Sequence, residues 1–484
     1  MKKEKQIRLL QFPVFELIRR ISKQTGIPVY VVGGYVRDML LFGKAKKDID
    51  FVLLGDVEMF TRRVADELTG EPKINIYKNY GTAMVKKDDM ILEFVTARKE
   101  SYDPESRKPH VKPATLEEDL KRRDFTVNAM AISLNDEDYG TLIDLFGGMN
   151  DLKKKIIRTP TDPYITFSDD PLRMMRAIRF VAQLPGFKLA EETYEAIKAN
   201  KDRIKIVSPE RIMDEFNKIL LTDKPSAGLK LLFETGLLEI ILPEVAALQG
   251  VEEVEGKTHK DNFYHTIQVV DNIARLDEQP NLWLRWAALL HDIGKPSTKR
   301  YHPKNGWSFH GHELVGSKMV PKIFRRLRLP LGKQMKYVQK LIKLSSRPVA
   351  LTEENVTDSA VRRLLFESGD EFEDLMKLCE ADITTKNKQR ERRYKTNLKK
   401  LMQKVKEVEE RDRIRNFQPP VTGEIIMQSF GIKPSRQIGE IKEAIKEAIL
   451  DGEIPNEFEA AYQFMLKLGK EKGLEVKKNM LAGK

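Results

Sequence analysis

The sequence predicts an α+β protein, with its strands in the first third of the chain and a mostly helical remainder. Short apolar runs at 29–32, 51–54, 82–86 and 90–96 are typical of buried strands. Later segments instead repeat apolar residues at helical spacing, as the isoleucines of 438–449 do, which is the pattern of a helix with one packed face. We therefore expect a sheet-containing head followed by helical domains.

The composition favours a globular protein of several domains with a polyanionic partner. The 484 residues are 41% hydrophobic and 33% charged, and they include no apolar run long enough to span a membrane. The single Cys379 excludes a disulfide framework and a thiolate zinc cluster. Together with an N-terminal segment that lacks a signal-peptide pattern, this leads us to expect a cytoplasmic location. The net charge of +12 favours nucleic acid as a partner, although a basic enzyme without one fits equally well.

The stretch 29–55 combines two predicted strands with a glycine pair and two acidic residues. Gly33 and Gly34 follow the first strand directly, so the backbone can turn tightly and offer its N–H groups to phosphate oxygens. Asp48 and Asp50 lead into the second strand, where alternate residues project to the same face. Two neighbouring carboxylates repel each other unless a divalent cation lies between them, and Mg²⁺ suits such a site.

Two basic segments come next. Residues 100–119 lack apolar periodicity and contain three prolines, which predicts a long mobile loop. This loop would either order around a nucleotide or tRNA end, or serve as a plain linker. A strand is expected over 125–134, with Arg122 and Arg123 at its start, where guanidinium groups would bind triphosphate or ribose oxygens.

A second focus is the helix expected after Pro171, capped by Asp169 or Asp170. Asp170 and Arg173 lie three residues apart on its first turn, so their side chains are neighbours. An ionised Asp only accepts hydrogen bonds and Arg only donates them. This pair therefore matches the pairing edge of cytosine or adenine. Guanine or uracil would leave buried charges unpaired, which disfavours their binding by roughly 1–3 kcal/mol. The alternative is an ordinary salt bridge on a helix surface.

These motifs resemble the nucleotidyltransferase superfamily that includes DNA polymerase beta, and its class II branch of CCA-adding tRNA nucleotidyltransferases and bacterial poly(A) polymerases. The matching motifs lie at 33–50, 122–129 and 169–173. Asp169 stands where the family has glutamate, and in the similar segment 144–151 a leucine replaces the usual proline. The resemblance implies a polymerase-beta-like head, a small mixed sheet with helices, followed by an all-α neck, an HD domain and a tail.

The resemblance also implies roles for individual residues. Catalysis and Mg²⁺ binding would fall to Asp48 and Asp50, and Glu93 in a neighbouring strand is either a further ligand or an exposed strand residue. Nucleotide binding would involve Gly33, Gly34, Arg37, Arg122, Arg123, Asp124, Asn128, Asp170, Arg173, Arg176 and Arg179. The implied reaction is template-independent addition of C, C and A to a tRNA 3′ end from CTP and ATP, with release of pyrophosphate.

Other functions stay open at this point. A poly(A) polymerase of the same family usually carries Gly-Arg-Arg-Phe where this chain has the different segment 79–84. An enzyme that adds only CC or only A also fits. A function of another class would be an HD-type phosphohydrolase that acts on RNA ends, with an inactive head.

Spaced histidines and aspartates in the second half resemble the HD superfamily of metal-dependent phosphohydrolases. His-Asp-Ile-Gly-Lys-Pro at 291–296 is the strongest local match. The implied ligands of a second divalent metal are His265, His291, Asp292 and Asp382, and either His310 or His312 would join them. Imidazole and carboxylate ligands leave the identity of the metal open. The alternative is a domain that keeps the helical fold without turnover.

The remaining segments are helical. In 207–220, Glu210, Arg211 and Glu215 match a family motif with an expected structural role in ion pairs. Residues 386–415 hold thirteen Lys/Arg against five Asp/Glu, either as a solvated face or along tRNA phosphates. The predicted domains are a nucleotidyltransferase head at 1–150, a neck at 151–250, an HD domain at 251–400 and a tRNA-contacting tail at 401–484.

Overall fold

The structure is a computed structural model. It describes residues 9–44, 47–77, 81–101, 110–250, 253–254, 257–258, 261–304, 306–353, 356–385, 387–412, 414–415 and 417–480. The chain divides into two compact units, Met1–Pro243 and Glu244–Lys484. The finer division into four domains stays a prediction. Within the described residues no helix is long and apolar enough to cross a membrane.

The first unit contains a sheet and a series of helices. Its strands are β1 Val29–Val32, β2 Asp48–Leu53, β3 Lys73–Tyr77, β4 Thr82–Lys87, β5 Met90–Thr96, β6 Arg98–Ser101, β7 His110–Pro113, β8 Met130–Ser133, β9 Leu142–Asp144, β10 Ile156–Ile157 and β11 Lys188–Leu189. The α-helices up to residue 246 are α1 Val14–Thr25, α2 Gly34–Phe42, α3 Val57–Glu67, α4 Leu116–Lys121, α5 Gly148–Lys154, α6 Pro163–Asp169, α7 Leu172–Gln183, α8 Glu191–Asn200, α9 Pro209–Leu220, α10 Pro225–Glu234, α11 Leu237–Ile241 and α12 Pro243–Ala246.

In the described residues the main sheet has seven strands in the order β3-β4-β5-β2-β1-β8-β9. β2 and β5 run parallel, whereas β1 is antiparallel to both β2 and β8, so the predicted mixed sheet is confirmed. The apolar face is buried, and the rings of Phe51 and Phe94 stack 4.8 Å apart between β2 and β5. The opposite face of the same two strands is left for polar side chains, because strand residues alternate between faces.

The described parts of 100–119 form regular elements, where the sequence suggests a long mobile loop. β6 pairs antiparallel with β7, and α4 begins after Thr115, whose side chain forms a capping box with Glu118. Thr-x-x-Glu is a known helix-start signal, and the prediction of a loop overlooked it. The central residues 102–109 lie outside the described part of the chain.

The strand expected over 125–134 is shorter than predicted. A 3₁₀ turn occupies Thr126–Asn128, and only Met130–Ser133 joins the sheet. Before the turn, Phe125 packs edge-on against Phe180 with ring centroids 5.5 Å apart, and the Thr126 N–H donates to the carbonyl oxygen of Arg158 instead of to a strand. The edge strand β3 and the helix α6 were missed. Of the segment that bears on a poly(A) polymerase, residues 79–80 lie outside the described residues.

The neck helices follow the prediction closely. α7 begins directly after Pro171, and Asp170 Oδ1 accepts a hydrogen bond from the backbone N–H of Leu172 at 3.3 Å, so Asp170 is the capping residue of the two candidates. α9 begins at Pro209, as expected.

The second unit is helical, with small two-stranded ribbons. Its ribbons comprise β12 Glu253–Val254, β13 Lys257–Thr258, β14 Arg300–His302 and β15 Gly306–Ser308. Its helices are α13 Asn262–Leu276, α14 Leu282–Leu290, α15 Lys295–Thr298, α16 His312–Arg326, α17 Lys333–Leu344, α18 Arg347–Glu353, α19 Asp358–Ser368, α20 Phe372–Asp382, α21 Lys388–Asp412, α22 Gly423–Phe430, α23 Arg436–Asp451 and α24 Phe458–Glu471. The charged helix and the packed isoleucine face predicted for the tail are confirmed as α21 and α23, with Ile441, Ile445 and Ile449 buried.

Candidate active site and candidate metal centre

Three carboxylates share one face of the sheet in the first unit. Asp48 and Asp50 alternate along β2, and Asp50 lies directly opposite Glu93 on the parallel strand β5. Paired residues of neighbouring strands project to the same face. Asp48 is exposed, whereas Asp50 and Glu93 are half-buried. The three groups form a carboxylate face, which is open at Asp48.

Burial and mutual repulsion oppose ionisation on this carboxylate face. Burial, together with the charges of Glu93 and Asp48, raises the pKa of Asp50 to about 6, against the opposite effect of Arg123. Burial and then Asp48 also raise the pKa of Glu93. A divalent cation relieves this repulsion, and oxygen-only donors fit a hard ion. The residues present therefore fit a divalent metal.

The backbone of Gly33 lies close to this carboxylate face. Its φ of +72° is a left-handed value that favours glycine. A Cβ at this position would lie 3.4 Å from Asp50 Oδ2 and 3.3 Å from Arg123 Nη1. Gly34 begins α2, and the first N–H groups of a helix have no partner within the helix. The turn thus brings bare backbone donors close to the carboxylate face.

Asp119 holds the two arginines that precede β8, and sequence reasoning missed it. Its side chain is fully buried and accepts hydrogen bonds from Arg122 Nε at 3.0 Å and from Arg123 Nη2 at 3.1 Å. Arg122 Nε also lies 2.9 Å from the carbonyl oxygen of Arg98. Arg122 is therefore tied to the β6–β7 ribbon, and Arg123 is the one directed at Gly33. The sequence did contain a signal for these contacts, because Asp119 lies three residues before Arg122 and four before Arg123. That spacing brings side chains together on a helix.

A chain of polar contacts links α2 to α7. Arg37 donates to Asp38 Oδ1 at 2.8 Å and to Asn128 Oδ1 at 2.7 Å. Asn128 Nδ2 donates to Asp124 Oδ1 at 3.1 Å, and Arg176 donates to Asp124 Oδ2 at 2.9 and 2.6 Å. Burial acts to raise the pKa of Asp124, but Arg176 and Asn128 outweigh it and lower the pKa to about 2. Four predicted nucleotide-binding residues thus bind one another.

The ring of Phe180 lies under three of the predicted arginines. The guanidinium carbons of Arg37, Arg179 and Arg176 lie 5.0, 4.6 and 5.9 Å from its centroid. Arg179 is buried and pairs with Glu215 on α9 at 3.1 Å, and burial lowers its pKa. Glu215 thus makes the ion pair expected between neck helices, and Arg179 contributes to that contact.

A polar cleft of about 420 Å³ lies along α7 and α9. Asp170 and Arg173 line it together, and Arg173 Nη2 donates to the carbonyl oxygen of Arg122 at 2.9 Å. The other lining residues are Arg123, Asp124, Leu172, Arg176, Arg211, Asp214, Glu215 and Lys218. An acceptor and a donor on one helical turn therefore share a cleft with Arg123, which also reaches the carboxylate face.

The second unit brings the predicted HD residues together from separate helices. His265 lies on α13, His291 and Asp292 follow α14, and Asp382 ends α20. His265 Nε2 lies 2.7 Å from Asp382 Oδ1, and His291 Nε2 lies 3.3 Å from Asp292 Oδ2. Among the described residues, His265, His291 and Asp292 are the one group whose three ligand atoms all lie within 4.8 Å of one another.

Of the two remaining histidines, His312 lies at this centre. Its Nε2 is 3.4 Å from Asp292 Oδ1, whereas His310 is exposed. We call His265, His291, Asp292, His312 and Asp382 the HD cluster.

Neighbouring groups orient the HD cluster, and the sequence did not reveal them. Thr384 Oγ1 hydrogen-bonds His265 Nδ1 at 2.9 Å, and the carbonyl oxygen of Ala288 lies 2.7 Å from His291 Nδ1. Lys295 donates to Asp292 Oδ2 at 2.6 Å. Such partners of the second ring nitrogen fix which nitrogen faces a metal.

The chemistry of the HD cluster fits a metal ion. His291 Nε2 is buried and makes no hydrogen bond of good geometry within the described residues. Burial acts to lower the pKa of His291, but Asp292 and Asp382 outweigh it and raise the pKa to about 10. Burial acts to raise the pKa of Asp292, but His291 and His312 hold it well below its usual range. Mixed imidazole and carboxylate donors at one point suit a transition-metal ion.

Three family models match successive parts of the chain. The Poly A polymerase head domain matches residues 29–158. The probable RNA and SrmB-binding site of polymerase A matches 186–248, and the HD domain matches 262–406.

Two relatives illustrate the similarity over most of their own length. The A-adding tRNA nucleotidyltransferase of Deinococcus radiodurans is 31% identical over 361 residues, which cover 72% of this chain and 78% of that protein. The multifunctional CCA protein of Vibrio campbellii is 35% identical over 319 residues, which cover 62% of this chain and 71% of that protein.

Solved structures share the fold along nearly the whole chain. The Bacillus stearothermophilus CCA-adding enzyme in complex with CTP matches with a TM-score of 0.65 and 26% identity, covering 96% of this chain and 99% of that one. The Thermotoga maritima CCA-adding enzyme complexed with tRNA matches in fold, with a TM-score of 0.61 and 24% identity over 95% and 98% of the two chains.

Proposed function

The chain belongs to the nucleotidyltransferase family that contains the A-adding and CCA-adding tRNA enzymes, and we propose that it adds C, C and A to the tRNA 3′ end without a template. The tRNA 3′ hydroxyl attacks the α-phosphorus of CTP or ATP, a new P–O bond forms, and pyrophosphate leaves. The observation that carries the proposal is the carboxylate face, with Asp50 opposite Glu93 and with so little room at Gly33 that a Cβ there would lie 3.4 Å from Asp50 Oδ2.

Each part of the first site has a role in this reaction. Asp48 and Asp50 would hold Mg²⁺, which when bound lowers the pKa of the attacking hydroxyl and neutralises phosphate charge. Gly33 and Gly34 offer backbone N–H groups to the triphosphate. Arg123, held by Asp119, donates to phosphate oxygens beside Asp50.

Base choice falls to the cleft of α7. Asp170 accepts from the amino group of cytosine or adenine, and Arg173 donates to the adjacent ring nitrogen. This assignment is supported by the position of both residues in one cleft with Arg123, so a nucleotide whose phosphates lie at Arg123 can reach them with its base. A purine or pyrimidine with the reverse order of donor and acceptor is disfavoured by about 1–3 kcal/mol.

The test offers tRNA substrates ending before C, after C and after CC to CTP and ATP separately, and measures product length. Full CCA addition predicts two C residues from CTP on the shortest tRNA and one A from ATP on tRNA ending in CC. Incorporation of A alone would identify an A-adding enzyme, like the D. radiodurans relative. A long A tract would identify a poly(A) polymerase, and either result overturns the proposal.

A second candidate function belongs to the HD cluster, favoured by its converging ligand atoms. We propose metal-dependent hydrolysis of phosphate esters, in which the cluster holds a divalent ion and the ion supplies activated water. Hydrolysis of p-nitrophenyl phosphate in Mn²⁺, Ni²⁺ or Mg²⁺, against a metal-free control, tests it. No turnover with any of the three ions contradicts it.

The setting of these reactions is also part of the proposal. We place them in the cytoplasm, because the lone Cys379 is a buried free thiol, which suits a reducing compartment. Residues 401–484 would contact tRNA. Cross-linking of bound tRNA to this segment supports the assignment, and protection confined to the first unit contradicts it.

A further inference from the structure

We propose that Phe180 is a positioning residue for nucleotide transfer, because its ring holds Arg37 of α2 and Arg176 of α7 in one arrangement. The ring thereby sets the distance between the base-reading turn at the start of α7 and the glycine turn that precedes α2. The inference deepens the proposed transfer reaction and rests on it. Phe180 itself carries no charge and does not line the polar cleft, so it acts through the arginines.

Phe180 lies on the same side of α7 as the base-reading arginine. Arg173, Arg176 and Phe180 are spaced three and then four residues apart, which places them along one face of the helix. Arg173 and Arg176 line the polar cleft, whereas Phe180 is only 5% exposed. The ring is therefore the packed end of the helical face whose first turn reads the base, about two turns away from Arg173.

Two other segments of the candidate active site meet at the same ring. The Arg37 guanidinium carbon lies 5.0 Å from the ring centroid, and Arg37 lies three residues after Gly34, where α2 begins. Phe125, two residues after Arg123, packs edge-on against Phe180 with ring centroids 5.5 Å apart. Phe180 therefore joins α7 to both segments that offer donors to the triphosphate.

Three guanidinium groups repel one another at this ring, and two kinds of contact hold them there. Each has its own carboxylate, with Asp38 at 2.7 Å from Arg37, Asp124 at 2.6 Å from Arg176 and Glu215 at 3.1 Å from Arg179. The ring supplies the second contact, because the face of an aromatic ring carries partial negative charge and attracts a cation within about 6 Å of its centroid. All three guanidinium carbons lie within that distance.

The position of these arginines matters because one nucleotide has to span both ends of the site. Its base lies at Asp170 and Arg173 and its phosphates lie near Gly33, so the reaction depends on the distance between α7 and α2. A displacement of the reacting atoms by about 1 Å lowers a rate on the order of 100-fold. An aliphatic side chain in place of Phe180 would fill the space but would give the arginines no attractive surface.

The first test changes the charge of the ring face and keeps the shape of the side chain. Phenylalanine that carries one, two or three ring fluorine atoms is placed at position 180 of the full chain, because fluorine withdraws negative charge from the ring face and weakens its attraction for cations. We expect kcat for C addition from CTP to fall with each fluorine, to about a tenth with three. The same series at Phe187, which is also 5% exposed and has no guanidinium over its ring within the described residues, should leave kcat unchanged within twofold.

The second test removes the ring. Phe180→Leu and the matched control Phe187→Leu should lower the midpoint of urea unfolding by similar amounts, because each replaces a buried phenylalanine. Only Phe180→Leu should also lower kcat for CTP about tenfold and reduce the preference for CTP over UTP about tenfold, since the base-reading turn is then no longer fixed.

The outcomes separate this inference from the proposed function. A flat fluorine series at position 180, or equal effects of the two leucine variants on transfer and on base choice, overturns the positioning role of Phe180 while the transfer reaction stands. If the unaltered chain adds neither C nor A to tRNA, the proposed function itself fails.

Discussion

The carboxylate face and the HD cluster differ in how the chain brings their ligand atoms together. The carboxylate face comes from two paired strands, it has only oxygen donors, and Asp48 is exposed. The HD cluster comes from several helices and the residues that follow them, it mixes nitrogen and oxygen, and His291 and Asp292 are almost fully covered. One site is open on a sheet, and the other is mostly covered by helices, with Asp382 as its exposed ligand.

This difference indicates how each site would bind metal. Strand pairing fixes the face and the spacing of the carboxylates but leaves room for substrate phosphates, which complete the coordination of Mg²⁺ in many nucleotide enzymes. In the HD cluster, Thr384 and Ala288 already orient the two histidine rings, and Lys295 holds the Asp292 carboxylate. We therefore expect weak metal binding that needs nucleotide in the first unit, and tight binding of metal alone in the second.

The largest expected effect is the loss of nucleotide transfer when one carboxylate charge is removed from the first site and the HD cluster is left intact. Asp50→Asn should lower the rate of nucleotide transfer about 1,000-fold or more, about 4 kcal/mol of transition-state stabilisation, because one ligand charge is lost. Single-turnover transfer to tRNA measures it. Mn²⁺ binding at the HD cluster and tRNA affinity are the controls and should stay unchanged. Transfer within tenfold of the unaltered enzyme would remove the carboxylate mechanism.

The next effect concerns the orientation of the HD cluster. Thr384→Val keeps the shape of the side chain and removes its hydrogen bond to His265 Nδ1, so Mn²⁺ affinity should fall about 10–100-fold. Calorimetric titration with Mn²⁺ measures it. Thr385→Val, at the next residue, is the matched control and should change affinity less than threefold. An equal loss in both variants would show that the hydrogen bond does not orient the ring.

A smaller effect is the pH dependence of the stability that the ion pair of Asp124 with Arg176 gives to the first unit. The pKa of Asp124 is lowered to about 2, below its value of about 3.9 in an unfolded chain, so its ion pair with Arg176 stabilises the fold fully above about pH 4. That contribution, about 2.6 kcal/mol, is lost as the pH falls from about 4 towards 2. Asp124→Asn should lower the free energy of unfolding by about this amount at pH 7, and urea unfolding measures it. The difference between the two proteins should shrink towards pH 2, and a constant difference would contradict the lowered pKa.

The smallest effect isolates the close approach at Gly33. Gly33 and Gly26 both have positive φ, +72° and +68°, but a Cβ on Gly26 would meet nothing within 4 Å. Replacement by Ala should cost each protein about 1 kcal/mol of unfolding free energy. Only Gly33→Ala should also lower transfer, by about tenfold, because its methyl group crowds Asp50 and Arg123. Equal transfer by the two variants would show that the turn does not position the site.

Much of the first site could be predicted because its signals are local. A strand, two glycines and alternating aspartates specify β1, the turn and β2 within about 25 residues. The resemblance to the tRNA nucleotidyltransferase family is confirmed by the comparisons, and so is the mixed sheet with a helical remainder. The roles assigned to single residues stay predictions.

The misses share a physical cause. Asp119 is important for its partners Arg122 and Arg123, and its burial depends on how α4 packs against β6. His310 and His312 are alike in sequence, and only the start of α16 decides which of them lies near Asp292. The capping box at Thr115 is the exception, because its signal is local and the loop prediction overlooked it.

Local signals were enough to predict three elements: the strand–glycine–aspartate unit, the capped helix at Asp170 and the apolar face of α23. Folding was needed to place Glu93 opposite Asp50, to join Arg37 to Asn128 and to the ring of Phe180, and to bring His312 to the HD cluster. These pairs are distant in the chain. Their contact depends on strand register and helix packing, which many weak apolar contacts set jointly and no short motif encodes.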